Sequence, residues 1–383
     1  MYRNEANLLY QNLIGGISMS LFKSAEDITP VSSIASEEFK VNQDTLRLLV
    51  NEELASFPDI FQMIGNCPLQ VMYDNHYHHV AFMSTIFKLN NYQLLTRIFV
   101  WIYRTYLERG FQYNYFPIAI QAWQKAIDKI LTKESASEIK AVYKWLTDHH
   151  DELMNLATSN EYLIFGDVKM DGLNYNFLMH LLHGDYKVCL AMVEQYINEG
   201  NDLTTLYLQI IQPCLYEIGR LWEGGHVSVA QEHLATAIVS RVMLAGITQS
   251  VSDYGMGKAV IVCAPNELHE LGARMVADLL ERDGWQVDFL SANLPASELV
   301  KYLQSYPPHF VGISTTIPSN LDSAMESIEA IRQDSVLKNL KIMVGGPAFH
   351  HEDMSWRLIG ADAYAVDGAA AVAIAKKWRS TKE

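Results

Sequence analysis

The sequence predicts an α and α/β multidomain chain, with an N-terminal all-helical domain, a four-helix bundle cap and a C-terminal Rossmann-like, doubly wound parallel sheet. Three observations predict it. The 383 residues are 49% hydrophobic and 19% charged, enough apolar material for more than one core. From about Glu37 to Glu152 the chain reads as aromatic-rich helix with few strand punctuators. From Lys258 onward, apolar runs of strand length alternate with segments of helical period, the pattern of βαβ crossovers.

Taken in order, residues 1–36, with scattered Gly, Ser and Pro, read as a leader or docking segment. Its most apolar stretch, Leu13–Phe22, is ten residues long, contains Gly15 and Gly16 and follows Glu5 rather than a basic cluster. It therefore reads as neither a signal peptide nor a membrane span. Residues 37–155 form the helical domain. Phe99, Trp101, Tyr103, Tyr106, Phe111, Tyr113, Tyr115, Phe116 and Trp123 crowd its centre, and Gly110 and Pro117 mark a break between two helices. In residues 161–253 apolar side chains recur at helical spacing: Phe177, Leu181 and Leu182; Val188, Met192 and Ile197; Leu206, Ile210, Leu215, Ile218 and Leu221. Gly184-Asp185, Gly200-Asn201-Asp202 and Gly224-Gly225 separate them, giving about four helices joined by short turns. In residues 257–383, Ala259–Cys263 suits a buried parallel strand, followed by helix Glu270–Asp283, strand Gln286–Leu290, helix Pro295–Gln304, strand Phe310–Ser314, helix Leu321–Gln333, strand Lys341–Val344 and strand Tyr364–Val366.

Charge and cysteine content narrow the function classes. Lys+Arg number 29 against 44 Asp+Glu, a formal net charge of −15, and no basic run stands out. Such a surface repels phosphate backbones, so direct nucleic-acid binding is not expected; with no spanning segment, neither is a membrane partner. Cys67, Cys189, Cys214 and Cys263 are widely spaced with no CxxC pair. That opposes a disulfide scaffold and a structural zinc site, and fits a reducing cytoplasm.

The first βα turn of the sheet domain reads Ala264-Pro-Asn-Glu267-Leu-His269-Glu-Leu-Gly272. In open α/β sheets ligands sit outside the carboxyl ends of the strands, where this turn lies. It lacks GxGxxG and carries an imidazole instead. A loop histidine with an acid near enough to hold one ring nitrogen is a metal-ligand arrangement, because the acid fixes the tautomer and raises the basicity of the other nitrogen. Gly272 would let a large flat ligand approach the start of the helix.

These residues resemble the pattern of cobalamin-binding domains: Asp-x-His-x-x-Gly, about forty residues, Ser-x-Leu, then fewer than thirty residues and Gly-Gly. Here 41 residues separate Gly272 from Ser314-Thr315-Thr316, and 28 more lead to Gly345-Gly346. Glu267 stands where the pattern has Asp, and Thr316 where it has Leu. The resemblance implies base-off cobalamin with His269 as lower axial cobalt ligand, Ser314 and Thr316 along the nucleotide tail, and Gly345 and Gly346 leaving room for that tail.

Upstream, Trp222, nine intervening residues and Glu232-His233 resemble the Trp-x9-Glu-His signature of CarH-type cobalamin photoreceptors. The resemblance implies adenosylcobalamin, with Trp222 as an aromatic wall and Glu232 and His233 contacting the ribose. In those photoreceptors a histidine follows the Trp and ligates cobalt from above after light; here Glu223 stands there, leaving His226, His233 or a water as the candidate upper ligand.

The N-terminal domain carries no basic recognition helix. Its aromatics and Asp74-Asn-His76-Tyr77-His78-His79 have two readings. One is an interaction domain whose aromatics are core and whose histidines lie on a polar helix edge. The other resembles photocobilins, which pair a cobalamin module with a biliverdin-binding helical domain; His76, His78 and His79 would be the bilin contacts, with the bilin either attached covalently at Cys67 or held noncovalently. The expected function is a non-enzymatic light sensor that changes homo-oligomer state or contact with a protein partner. The alternatives are a corrinoid methyl carrier serving separate methyltransferases, or a light-independent cobalamin sensor.

Overall fold

The computed structural model describes residues 16–159, 170, 172–247, 255–349 and 355–380. The chain divides into two compact units, Met1–Asp167 and Val168–Glu383. Parts of the expected leader (1–15) and of the expected bundle (161–169, 248–253) lie outside the described residues.

The first unit is helical throughout its described residues. Its longer helices are α1 (Gly16–Glu26), α2 (Ser33–Ala55), α3 (Leu69–Leu89), α4 (Tyr92–Glu108), α5 (Tyr115–Ile130), α6 (Lys133–Asp148) and α7 (His150–Thr158). Local chemistry sets their starts: the side chains of Ser32, Asn91 and Thr132 accept the otherwise unpaired N–H groups of Ala35, Leu94 and Ser135. Helix α2 begins at Ser33, inside the segment read as a leader, and Leu21, Ala25, Ile28 and Val31 are buried. The described part of that segment thus belongs to this unit's core. The break between α4 and α5 turns at Gly110 (φ +88°), beside Gly65 (φ +67°). A Cβ on Gly65 would lie 2.6 Å from the Gly110 carbonyl group, so the two backbones cross where no side chain fits.

The second unit begins with four helical stretches around one apolar core: α8 (Gly172–His183), α9 (Tyr186–Asn198), a π-helical turn Leu206–Ile211 running into α10 (Gln212–Glu223), and α11 (Val229–Ile247). They end near Gly184, Gly200 and Gly224-Gly225. A five-stranded parallel sheet follows: β1 (Gly257–Cys263), β2 (Trp285–Phe289), β3 (Phe310–Ser314), β4 (Lys341–Gly345) and β5 (Ala363–Ala365), in the order β2-β1-β3-β4-β5. The crossovers include α12 (Leu271–Arg282), α13 (Ala296–Ser305) and α14 (Leu321–Gln333), and the chain continues past β5 into α15 (Gly368–Ser380). Helix α12 serves two cores. Leu271, Met275 and Leu279 pack with the helical stretches, whereas Ala273, Ala277 and Leu280 pack with the sheet. Strand order reverses between β1 and β3, where open α/β sheets part their loops and bind ligands.

Candidate functional site

The loops after β1 and β3 meet at that reversal. Ala264 N donates to the Ser314 carbonyl (2.9 Å) and Thr315 N to that of Gly345 (2.9 Å), tying three strand ends together. Asn266 (φ +65°), Ser291 (φ +59°) and Asn293 (φ +58°) all adopt the left-handed conformation here. Asn266 N donates to the Asn293 side chain at 3.2 Å, locking two of these turns to each other.

Glu267 is fully buried. Its Oε1 accepts from His269 Nδ1 at 2.6 Å and from the N–H groups of Leu268 (3.0 Å) and His269 (3.1 Å). Its Oε2 accepts from the N–H groups of Thr316 (2.8 Å) and Ile317 (3.0 Å) and from Asn320 Nδ2 (3.3 Å). Burial alone would raise this carboxyl's pKa. The bonds from His269 and Ile317 and the charge of His269 outweigh burial and lower it from 4.5 to about 2. The carboxylate can only accept, so it fixes the proton on His269 Nδ1 and leaves the Nε2 lone pair for a ligand. The pKa of His269 rises, chiefly through its bond to Glu267, against burial and with help from the charges of Glu267 and Glu232. The His269 side chain is 53% exposed.

The other residues of the motif divide by role. A Cβ on Gly272 would meet nothing within 4 Å, so the start of α12 is open. At Gly346 (φ +101°) a Cβ would lie 2.3 Å from the Thr315 carbonyl oxygen, and at Gly345 3.1 Å from that of Ala365. The glycine pair therefore permits backbone crossings. Ser314 ends β3, and Thr316 binds Glu267 through its backbone N–H. The hydroxyls of Thr315 and Ser319 are buried without a hydrogen-bond partner in this loop, donors that a bound molecule would satisfy.

The upper residues lie on the helical stretches. Trp222 and Glu223 close α10, and Trp222 is half-buried. Glu232, on the first turn of α11, accepts from Thr236 Oγ1 (3.0 Å), and its other carboxyl oxygen lies 2.7 Å from His233 Nδ1. The charge of Glu232 reaches His269, which brings the two sequence motifs within electrostatic range of each other. His226 and His233 are exposed. Among the described residues, no group of three or more His, Cys, Asp or Glu side chains could hold a metal ion. Sequence reasoning missed Asn320, Thr315 and Ser319; the one signal available was a polar cluster directly after a strand.

In the N-terminal unit the three histidines separate. His76 is buried, with Nδ1 on Asn51 Oδ1 (2.5 Å) and Nε2 on Tyr115 OH (2.9 Å). His79 Nε2 meets Tyr143 OH (2.9 Å), and its ring packs 4.7 Å from that of Trp123. Burial, with the positive charge of Arg47, lowers the pKa of His76 to about 3; burial, with the charge of His76, does the same for His79. Only His78 is exposed. The three do not share the polar edge expected of them. Cys67 is half-buried, its thiol 3.6 Å from the Arg109 carbonyl oxygen.

Comparison with known proteins supports a cobalamin-binding module. Residues 257–375 match a family model described as a B12 binding domain, and residues 176–245 match a second model of the same description. Among curated proteins, the HTH-type transcriptional repressor CarH of Myxococcus xanthus is 31% identical over 140 residues, covering 37% of this chain and 46% of that protein. Dimethylamine corrinoid protein 2 of Methanosarcina mazei is 27% identical over 168 residues, covering 42% of this chain and 76% of that protein. Among solved structures, the Methanosarcina barkeri monomethylamine corrinoid protein aligns with a TM-score of 0.49 at 16% identity, covering 54% of this chain and 97% of that one. No helix among the described residues is long and apolar enough to cross a membrane.

Proposed function

We propose that the second unit binds cobalamin base-off, with His269 Nε2 as the lower axial ligand, and that the protein is a light sensor using adenosylcobalamin. The observation that carries the binding reading is the fully buried Glu267 holding His269 Nδ1 at 2.6 Å on the switch-point loop. The residues present fit the group: an oriented half-exposed imidazole, open space at Gly272 and two unsatisfied buried hydroxyls, Thr315 and Ser319. When bound, adenosylcobalamin supplies a cobalt–carbon bond that visible light can break. The chain's residues bind and orient: Glu267 holds the imidazole, Trp222 offers an aromatic wall, and Glu232 and His233 offer polar groups for ribose hydroxyls. Ser314 and Thr316 would line the tail cleft. His226 or His233, both exposed, are the candidate upper ligands in place of Glu223. The response would leave through homo-oligomer state or a protein partner. The similarity to CarH supports this reading.

The similarity to dimethylamine corrinoid protein 2 favours a second reading, a methyl carrier for separate methyltransferases. The first proposal also includes biliverdin in the aromatic N-terminal unit. Its propionates would need donors beyond His76 and His79, whose rings are held by Asn51, Tyr115 and Tyr143.

The test loads the full chain with adenosylcobalamin in the dark and records absorption and sizing profiles before and after green light. A new spectrum with altered elution is the expected result. Light-inert adenosylcobalamin leaves the carrier or light-independent sensor, and failure to take up any cobalamin removes all three. Added biliverdin should produce a long-wavelength band.

A further inference from the structure

A buried polar cluster behind the axial-ligand loop has no part in the function proposed above. Tyr207 OH donates to Asp278 Oδ2 at 2.8 Å, and Arg274 Nε donates to Asp278 Oδ1 at 3.0 Å. Tyr207 is 0% and Asp278 3% exposed. Asp278 and Arg274 stand on α12, whose first residue follows His269 by two positions. Tyr207 comes from the π-helical turn Leu206–Ile211.

That turn has a local cause. Pro213 has no N–H to give the Gln209 carbonyl and its ring crowds the preceding turn. Gln212 N reaches back five residues to the Tyr207 carbonyl, and the buried Asn174 side chain donates to the Gln209 carbonyl at 2.9 Å. A π turn is an α-helix with one residue inserted, which offsets the residues before it in helical phase. The offset segment presents the Tyr207 hydroxyl to α12.

Around it, Leu271, Met275 and Leu279 of α12 make apolar contact with the helical stretches. Such contacts are non-directional and tolerate sliding along the helix axis. Hydrogen bonds do not, because they weaken steeply with misalignment. Asp278 stands six residues from Gly272, about 9 Å along the helix at 1.5 Å per residue. A fixed point there fixes the height of the His269 loop.

We propose that Tyr207 and Asp278 are positioning residues: their hydrogen bond pins α12 against the helical stretches and so sets the height at which His269 is presented to its ligand. The inference rests on the cobalamin-binding reading. It adds that the approach of the imidazole is adjusted from the far side of α12, through Pro213, Asn174 and the π turn.

The test compares wild-type, Tyr207→Phe, Asp278→Asn and Asp278→Ala full-length chains. Tyr207→Phe removes one oxygen and keeps the ring. In the cobalamin-free chain, hydrogen exchange at residues 264–272 should accelerate about tenfold, the loss expected of one hydrogen bond to a charged group, while β1, β3 and β4 stay protected. Cobalamin dissociation should quicken by a similar factor. The nitrogen splitting in the electron paramagnetic resonance spectrum of the cobalt(II) form should change, a readout that overall loosening does not move. Asp278→Asn, which keeps an oxygen for Tyr207, should recover most of what Asp278→Ala loses. Exchange and dissociation within twofold of wild type in Tyr207→Phe, or acceleration spread evenly over the sheet, would overturn the proposal. If wild type takes up no cobalamin, the binding reading fails, and the exchange comparison still decides whether the pin orders the loop.

Discussion

Replacing Glu267 by Gln tests the most tightly specified feature of the site. One oxygen becomes an NH2 group, and every group around the carboxylate is a donor. If the remaining oxygen stays on His269, the amide faces the N–H groups of Thr316 and Ile317. Two stranded buried donors at about 1–3 kcal/mol each give a loss of about 2–6 kcal/mol. The lowered carboxyl pKa, to which the same hydrogen bonds contribute, is of similar size: a fall from 4.5 to about 2 corresponds to about 3 kcal/mol. That contribution is present above pH 4.5 and disappears as the pH falls through 2, because the unfolded carboxyl takes up its proton first. If the side chain turns the other way, the amide meets Nδ1, the ring proton moves to Nε2, and the lone pair meant for cobalt is lost. Either orientation should weaken cobalamin binding about 10–100-fold. Urea unfolding of the cobalamin-free chain and cobalamin titration measure the two effects. Glu267→Gln with stability within about 0.5 kcal/mol of wild type and affinity within twofold would refute the reasoning.

Four further outcomes follow from the geometry. Gly346→Ala places a Cβ 2.3 Å from the Thr315 carbonyl oxygen at φ +101° and should destabilise the chain by several kcal/mol, roughly 3 or more. Gly272→Ala, with nothing within 4 Å, should fold with unchanged or slightly raised thermal stability while cobalamin titration shows weakened binding. His76 and His79 stay neutral in the fold down to about pH 3 but would titrate near 6.5 when unfolded. The unfolded chain then binds more protons between those values, so the N-terminal unit should lose about 2 kcal/mol from pH 6.5 to 5.5. Histidine-resolved deuterium exchange against pH would show neither ring titrating near 6.5. Trp222→Ala should retain cobalamin uptake but release adenosylcobalamin faster than methylcobalamin, read by stopped-flow absorbance; equal release rates would remove Trp222 from the adenosyl site.

Strand periodicity made the sheet legible, since Ala259–Cys263 and Phe310–Ser314 are apolar runs with no other use. The ends of those runs placed His269 and Ser314 at one edge. The partners of Glu267 Oε2 were not legible, because they come from a loop 49 and 50 residues away that only the β1–β3 register brings near. The close approach of Gly346 to the Thr315 backbone was not legible for a similar reason: its neighbour belongs to another strand end. In the first unit the local run His76–His79 suggested a common polar edge. Residues three apart share a helix face, and α3 turns that face inward, where Asn51, Tyr115 and Tyr143 from other helices meet it. A helix face is chosen by what packs on it, and that choice is non-local. The start of α2 at Ser33 was missed because a serine amid Gly, Ser and Pro reads equally as a loop or as a cap.

The double allegiance of α12 constrains how this protein can be cut. A fragment beginning at residue 257 would keep the whole sheet yet leave Leu271, Met275 and Leu279 facing water along one helix, a sticky ridge with nothing to hide it. A fragment ending before the sheet would take the same three side chains away from Phe177, Leu206 and their neighbours, opening a trough where a helix used to lie. The two parts matched by separate family models are thus expected to be expressed, denatured and inherited as one object.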